Sequence, residues 1–92
     1  MQIEIKYHKK FYDDAMLLSR QDQDRVESVI INKLKTNPML FGKPLRHGLK
    51  NYRSLRIGKY RLGFKLDANI VYVLGIVHRS RAYEEFLKRS GN

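Results

Sequence analysis

The residues of this chain best suited to chemistry are the cations of its central third. Between Asn37 and Asp67 the sequence has no Asp or Glu and eight cationic side chains: Lys43, Arg46, Lys50, Arg53, Arg56, Lys59, Arg61 and Lys65. Residues 38–92 carry a net charge of +9, whereas residues 1–37 carry +1. An excess of positive charge confined to one half of a chain destabilises the fold by self-repulsion, and proteins commonly use such a charge to steer or hold a polyanion. The pattern favours nucleic acid as the ligand over charge kept for solubility.

Two of these arginines are predicted to face each other across a β-hairpin. The segments Tyr52–Ile57 and Tyr60–Leu66 flank Gly58-Lys59, and glycine at the first turn position suits a type II′ turn. A two-residue turn places Arg56 directly opposite Arg61 on one face of the sheet. Like charges in that position destabilise a sheet by up to ~1 kcal/mol. Since a structural sheet gains nothing from the pair, the pair indicates an anion site.

The next strand, Ile70–Val77, is expected to complete this cationic face. If it begins by pairing Ile70 with Leu66, three of its residues lie on the core side: Tyr72, Leu74 and Ile76. Arg79 then joins the two arginines beside Gly63 and Gly75, whose missing side chains leave room for a ligand. The planar fork of arginine donates two hydrogen bonds to phosphate and stays charged. We therefore predict a shallow phosphate cradle on the sheet face away from the core.

The elements that must position these residues indicate a small α+β domain. Residues 3–7 alternate between apolar and polar, as in a half-buried strand, and residues 9–19 have helical periodicity. A second helix opens near Asp22 or Asp24 and ends at Asn37-Pro38, and residues 38–51 are predicted to form a loop. A short helix is expected over residues 82–89. The resulting architecture is an antiparallel sheet with two N-terminal helices on one face and a short C-terminal helix.

Composition narrows the classes of protein to which this chain could belong. A chain of 92 residues is expected to form one domain. It lacks cysteine, and His8, His47 and His78 lack metal-ligand spacing, so we expect neither a metal nor another cofactor. We interpret His8 as a surface histidine. No apolar run approaches a membrane span and the start does not resemble a signal peptide, which favours a cytoplasmic protein without membrane contacts.

Two separate strings resemble the RelE/ParE toxin superfamily. Leu55-Arg56-Ile57-Gly58-Lys59-Tyr60-Arg61-Leu62 is similar to its Arg-aliphatic-Gly-x-Tyr-Arg hairpin. Seventeen residues after Arg61, His78-Arg79-Ser80-Arg81-Ala82-Tyr83 is similar to its His-Arg-x-x-x-Tyr ending. The string Lys43-Pro44-Leu45-Arg46 also resembles its Lys-x-Leu-Arg lead-in. Together with the strand-helix-helix-strands order, the resemblance covers essentially the whole chain.

The resemblance implies a type II toxin that a small acidic antitoxin holds inactive in a hetero-oligomer. RelE-like members cut mRNA in the A site of the 70S ribosome, and ParE-like members poison DNA gyrase. The ending of this chain is similar to the RNA-cleaving branch, in which an arginine after the last strand and a nearby tyrosine serve catalysis and base stacking. Arg61, Arg79 and Tyr83 occupy the matching positions. A metal-independent endoribonuclease is the leading hypothesis, with a gyrase inhibitor or an inactive nucleic-acid-binding domain as alternatives.

Two groups of site residues follow from this hypothesis. The predicted catalytic residues are Arg56, Arg61, Arg79 and Tyr83. The predicted RNA-binding residues are Lys43, Arg46, Arg53, Lys65, His78 and Arg81. Arginine is too basic to shuttle protons, so its expected role is charge stabilisation and positioning. The general base remains open among four residues: His78, Lys43, His47 and Lys65. Tyr83 suits either base stacking or anchoring of the C-terminal helix.

Overall fold

A computed structural model describes residues 2–45 and 51–91 of the chain. The described strands are β1 (Glu4–Tyr7), β2 (Lys43–Pro44), β3 (Tyr52–Ile57), β4 (Tyr60–Asp67) and β5 (Ile70–His78). The described helices are α1 (Phe11–Met16), α2 (Arg20–Val29, extended by a π-helical turn over Ile30–Leu34), α3 (Pro38–Phe41) and α4 (Ala82–Ser90). Within these residues no helix has the length and apolarity needed to cross a membrane.

The five strands form one sheet in the order β1-β5-β4-β3-β2. Strands β2, β3, β4 and β5 pair antiparallel with one another, whereas β1 pairs parallel with β5. The predicted α+β fold with a mostly antiparallel sheet is confirmed, and the parallel pairing of β1 is a detail that the sequence did not predict. Helices α1, α2 and α3 separate β1 from the rest of the sheet along the chain, and a long connection of this kind permits the parallel pairing of β1 with β5.

The hairpin of β3 and β4 has the predicted register. Ile57 pairs with Tyr60 and Arg56 pairs with Arg61. The inner face of β4 places Leu62 and Phe64 in the core, fully buried against the helices. Because side chains alternate along a strand, Arg61 necessarily points to the opposite face.

The register predicted for β4 and β5 was wrong. Leu66 pairs with Val71 rather than Ile70, because Ala68 adopts a left-handed backbone (φ 53°) and closes a two-residue turn. The one-residue shift reverses the faces, so Tyr72 is exposed while its neighbours enter the core. A β-bulge opposite Gly63 and Phe64 then absorbs Leu74. Beyond the bulge Ile76 lies in the core as predicted, whereas Leu74 packs on the other face.

Helices cover both faces of the sheet. The face under α1 and α2 holds the larger core: Phe11, Leu18, Val26, Ile30, Leu34, Ile57, Leu62, Phe64, Val71, Val73 and Ile76. The second helix begins at Ser19, whose hydroxyl accepts a hydrogen bond from the backbone N–H of Asp22 at 3.1 Å. On the other face α4 buries Phe86 and Ala82 against β5 residues Leu74 and Val77. The C-terminal helix is therefore held by an apolar contact of its own.

The glycines of the sheet make room for α4, not for a ligand as the sequence suggested. A Cβ atom on Gly63 would lie 2.6 Å from the ring of Phe86. A Cβ on Gly75 would collide with the guanidinium of Arg89 and the carboxylate of Asp14. Their missing side chains allow α4 to pack closely on β4 and β5.

A buried ion pair links the helices of the two faces around the edge of β5. Arg89 of α4 donates to both carboxylate oxygens of Asp14 in α1, at 2.5 and 2.9 Å, and to the carbonyl of Leu74 at 3.0 Å. The same carboxylate accepts the backbone N–H of Ile76 at 3.1 Å, where β1 no longer covers β5. Asp14 and Arg89 are 9% and 5% exposed. This pair was not anticipated from the sequence, because 75 residues separate its members.

The segment after α2 is more ordered than the predicted loop. It contains α3 and β2, and Lys43 pairs with Ser54 at the sheet edge. The guanidinium of Arg53 secures this segment by donating to the carbonyls of Gly42 and Met39, at 2.6 and 3.2 Å. The later part of the predicted loop, residues 46–50, lies outside the described residues.

The interpretation of His8 as a surface residue was wrong. It is 4% exposed, and its Nδ1 accepts the backbone N–H of Lys10 at 3.1 Å. Burial and the nearby charges of Arg89, Lys9 and Lys10 lower the pKa of His8. An imidazole that accepts at Nδ1 and resists protonation is a neutral structural group.

Candidate active site

An open pocket of about 420 Å³ lies where α4 crosses the β2–β3–β4 side of the sheet. Its lining residues are Lys43, Pro44, Leu45, Ser54, Arg61, Arg79, Ala82, Tyr83 and Phe86. Three of these are cations and none is an acid. The pocket brings together residues from four separate elements, among them Arg61, Arg79 and Tyr83, and it has the charge required to hold an anion.

Arg61 lines the pocket from β4. Its Nη1 donates to the hydroxyl of Ser54 on the neighbouring strand at 3.1 Å, and the residue is half-buried. Ser54 is buried and was not identified from the sequence, where an isolated serine in a strand carries no signal. One hydrogen bond fixes the direction of this guanidinium and leaves its other N–H groups for a ligand.

Arg79 and Tyr83 line the pocket at the start of α4. Arg79 follows β5 directly, and its backbone N–H donates to the carbonyl of Lys59 in the hairpin turn at 2.9 Å, which holds the exposed side chain beside the pocket. Tyr83 lies in the first turn of α4 and is 40% exposed. Because Phe86 anchors α4 on Gly63, the packing of the helix sets the position of the tyrosine ring.

Lys43 closes the pocket from the sheet edge. Strand β2 is only two residues long, and its pairing with β3 brings Lys43 opposite Ser54. Lys43 is exposed. Its ammonium group is therefore accessible to a substrate that also contacts Arg61.

Arg56, the fourth predicted catalytic residue, does not line the pocket. Arg56 and Arg61 are opposite each other as predicted, but Nε of Arg56 donates to the carbonyl of Gly58 at 3.0 Å. Its side chain thus bonds to the hairpin turn, whereas that of Arg61 bonds to Ser54. This geometry does not favour the anion site that the sequence indicated for the pair.

The predicted RNA-binding residues are distributed over several surfaces. Arg53 bonds to the α3 segment, and Lys65 lies with its Nζ 5.7 Å from the ring centroid of Tyr52. The His78 ring packs edge-on against Tyr60 and pairs with the hydroxyl of Ser80 at 2.8 Å. Arg81 is exposed at the start of α4. Of this group Lys43 lines the pocket, and Arg46 lies outside the described residues together with His47.

Comparisons with known proteins agree with the fold and with the motifs. A family model described as the ParE toxin of the type II toxin–antitoxin system parDE matches residues 5–83. No curated protein sequence matches the chain.

Solved structures of toxins share this architecture. The chain is 27% identical to one in the toxin–antitoxin complex RelBE2 of Mycobacterium tuberculosis, covering 86% of this chain and 100% of that one with a TM-score of 0.77. A chain of the RelB–RelE complex of Methanococcus jannaschii is 20% identical, with coverages of 88% and 98% and a TM-score of 0.70. An arginine-to-alanine variant of the Escherichia coli toxin RelE in the free state is 13% identical, with coverages of 99% and 97% and a TM-score of 0.77.

The family match spans most of the chain, and the sheet, the helices and the hairpin motif agree with it. The resemblance predicted from the two strings is confirmed. This chain belongs to the ParE toxin family of type II toxin–antitoxin systems, within the RelE/ParE superfamily.

Proposed function

We propose that this toxin is a ribosome-dependent mRNA endonuclease, which cuts the message by attack of a ribose 2′-hydroxyl on the adjacent phosphate. The observation that carries the proposal is the convergence of Arg61, Arg79, Lys43 and Tyr83 on one open pocket. Two of these are the arginines that the hairpin and ending motifs singled out.

The reaction makes three demands on the site. The 2′-hydroxyl loses its proton as its oxygen bonds to phosphorus, the phosphorane gains negative charge, and the 5′-oxygen departs with a proton. The products are a 2′,3′-cyclic phosphate and a free 5′-hydroxyl. In this proposal Arg61 and Arg79, which both line the pocket, stabilise the phosphorane, and each such donor is worth about 3–4 kcal/mol of barrier. Tyr83 stacks on a base next to the cut and thereby orients the ribose.

Lys43 is our choice for the proton acceptor. Arginine stays protonated and is unsuited to this role. Among the described candidates, Lys43 lines the pocket, whereas Lys65 lines a different depression and His78 is engaged by Ser80 on the other side of the sheet. The amine of a lysine in its neutral form has a lone pair that can accept the proton of the 2′-hydroxyl.

The pocket is too shallow to orient an mRNA by itself, and for this reason we propose that the ribosome presents the substrate. Its open volume of about 420 Å³ contacts one segment of the backbone and does not enclose a strand. The toxin must therefore receive an mRNA whose backbone is already extended and held. An A-site codon satisfies this requirement, since proximity and orientation contribute strongly to the rate.

The partner that silences the site is proposed to be an acidic antitoxin segment that folds on binding. The complexes from M. tuberculosis and M. jannaschii contain an antitoxin with the toxin. The +9 half of this chain favours a counter-charged ligand. Such a segment covers the pocket arginines or displaces α4 and carries Tyr83 away.

A second candidate is gyrase inhibition, which the name of the matching ParE family favours. In that case the basic face contacts a protein and no RNA bond is cut. A nucleic-acid-binding domain without catalysis is the third class. The arginine pair beside Lys43 and Tyr83 favours the first candidate over both.

Purified ribosomes test the mechanism directly. We expect the toxin to cut an mRNA programmed into ribosomes, to leave the same mRNA intact in free solution, and to produce a 2′,3′-cyclic phosphate. A single 2′-deoxynucleotide at the cut position should abolish cleavage there, because the nucleophile is missing. Cleavage that persists on the deoxy message, or gyrase inhibition without mRNA cleavage, would contradict the proposal.

A further inference from the structure

A row of alternating lysine and tyrosine side chains crosses four strands of the sheet. Lys6 of β1 pairs with Tyr72 of β5, Tyr72 pairs with Lys65 of β4, and Lys65 pairs with Tyr52 of β3. Residues that are paired across neighbouring strands point to the same face. The row therefore lies on one face, and it is the face that carries Arg61, since Lys65 follows Arg61 by four positions in β4.

The row lines a depression of its own. All four residues border an open volume of about 360 Å³, which shares no lining residue with the candidate active site. Its remaining lining residues are Asp67, Ile70, Leu74 and Arg89. The C-terminal end of α4 bounds it, because the hydroxyl of Tyr52 donates to the carbonyl of Ser90 at 3.4 Å.

The lining residues of this depression include three cations and one acid. Lys6 is exposed and Lys65 is half-buried, with its Nζ 5.7 Å from the Tyr52 ring centroid. Arg89 is already neutralised by Asp14 and Glu85. Asp67 contributes one negative charge at the end of β4, so the two lysines outweigh it.

Tyr72 is the centre of the row. It is 39% exposed, although β5 is otherwise largely buried. Its position results from the two-residue turn at Ala68-Asn69, which turns Tyr72 out of the core. Adjacent strands are about 4.8 Å apart, so the strands of Lys6 and Lys65 are about 10 Å apart across it. One aromatic ring between two flexible cations matches one base with a phosphate on each side.

We infer that this row, the Lys–Tyr platform, is a second RNA-binding site, which holds a single-stranded segment by stacking a base on Tyr72 and by pairing Lys6 and Lys65 with the flanking phosphates. Open sheet faces with aromatic residues and cations bind single strands in this way, with little dependence on sequence. The inference deepens the proposed function, because it adds a second contact to the same class of substrate on the same sheet face.

The platform supplies a second contact with the substrate, which the shallow pocket alone does not provide. A substrate held at two sites, one beside the first turns of α4 and one beside its last turn, has a defined direction, and the second contact becomes intramolecular once the first has formed. The platform thus selects an extended single strand over a compact duplex, whose bases are not available to stack on Tyr72.

The test measures binding of the full-length toxin to a fluorescent 12-nucleotide 2′-O-methyl RNA, which lacks the nucleophile and is not cut. Tyr72→Leu is expected to weaken binding by roughly 5- to 100-fold, the loss for one stacked base, whereas Tyr72→Phe retains it. The matched control is Tyr12→Leu, since Tyr12 is an exposed tyrosine on α1 outside both sites.

Salt dependence separates binding from folding. The double variant K6Q/K65Q should reduce the slope of log affinity against log salt by about 1.4, because each single-strand phosphate contact contributes about 0.7. Asp67→Asn should strengthen binding, which a merely structural role would not produce. The inference would be overturned by an unchanged salt slope in the double variant or by equal losses of affinity for Tyr72→Leu and Tyr12→Leu. Binding of an oligo-glutamate peptide by a toxin that does not bind the RNA would also overturn it.

The two proposals fail separately. If the oligonucleotide does not depend on the platform while ribosome-bound mRNA is still cut, this inference alone is wrong. If the oligonucleotide binds as described but no mRNA is cut, the proposed function is wrong and the platform stands.

Discussion

Replacing either Arg61 or Arg79 with alanine is expected to slow cleavage of ribosome-bound mRNA by roughly a hundredfold or more, the usual cost of losing a charge partner of the transition state. Both side chains line the pocket, and Ser54 fixes the direction of Arg61. The single-turnover cleavage rate on programmed ribosomes is the measurement. The loss should appear in this rate more than in affinity, because the extra charge exists only in the transition state.

Lys59→Ala is the matched control for these variants. Lys59 also carries one positive charge on the hairpin, but it lies at the exposed turn and its Nζ is 5.8 Å from the ring centroid of Tyr60. It does not line the pocket, so we expect little change in the rate. Equal losses for all three variants would mean that bulk charge, not the pocket, is responsible.

The second large effect concerns stability. Replacing Arg89 with methionine should lower the free energy of unfolding by about 3–5 kcal/mol, because it leaves the buried carboxylate of Asp14 without its cation. The substitution also removes the bonds to Glu85 and to the carbonyl of Leu74. Urea unfolding measures the loss, and the exposed cation Lys88, replaced by methionine, provides the comparison.

A double-mutant cycle identifies the cause of that loss. Removing both charges with Asp14→Leu and Arg89→Met should cost less than the sum of the single variants, because no unpaired charge remains buried. Additive losses would contradict the pairing.

Acid supplies an independent readout of the same network. Burial raises the pKa of Glu85, but the hydrogen bond and the charge of Arg89 outweigh it and leave that pKa below its ordinary value. A carboxylate whose pKa is lower in the folded state than in the unfolded state stabilises the fold at pH values above its unfolded-state pKa. This contribution is lost as the pH falls through the folded-state pKa. The Arg89→Met variant should lose less stability over that acid range than the original chain.

Local patterns in the sequence predicted the elements nearest to the site. The register of β3 and β4 follows from a two-residue turn and strict alternation, so the outward direction of Arg61 was foreseeable. Arg79 and Tyr83 were named because the ending of the chain resembles the His-Arg-x-x-x-Tyr motif, and the structure places them just after β5 and in the first turn of α4.

Features that depend on contacts between residues far apart in the sequence, or on unusual backbone conformations, were not predicted. The turn at Ala68 required a left-handed alanine, which sequence does not announce, and the register of β5 moved with it. The placement of Lys43 depends on a two-residue strand that has no periodicity of its own. The roles of Gly63 and Gly75 depend on the packing of Phe86 and Arg89, which approach from a distant helix.

The most direct test of the central claim is primer extension on cellular mRNA after expression of the toxin without its antitoxin. We expect discrete new 5′ ends within translated codons, their loss when translation initiation is blocked, and their absence for the Arg61→Ala variant. Intact transcripts together with gyrase-dependent DNA breaks would contradict the account and assign the toxin to the second class.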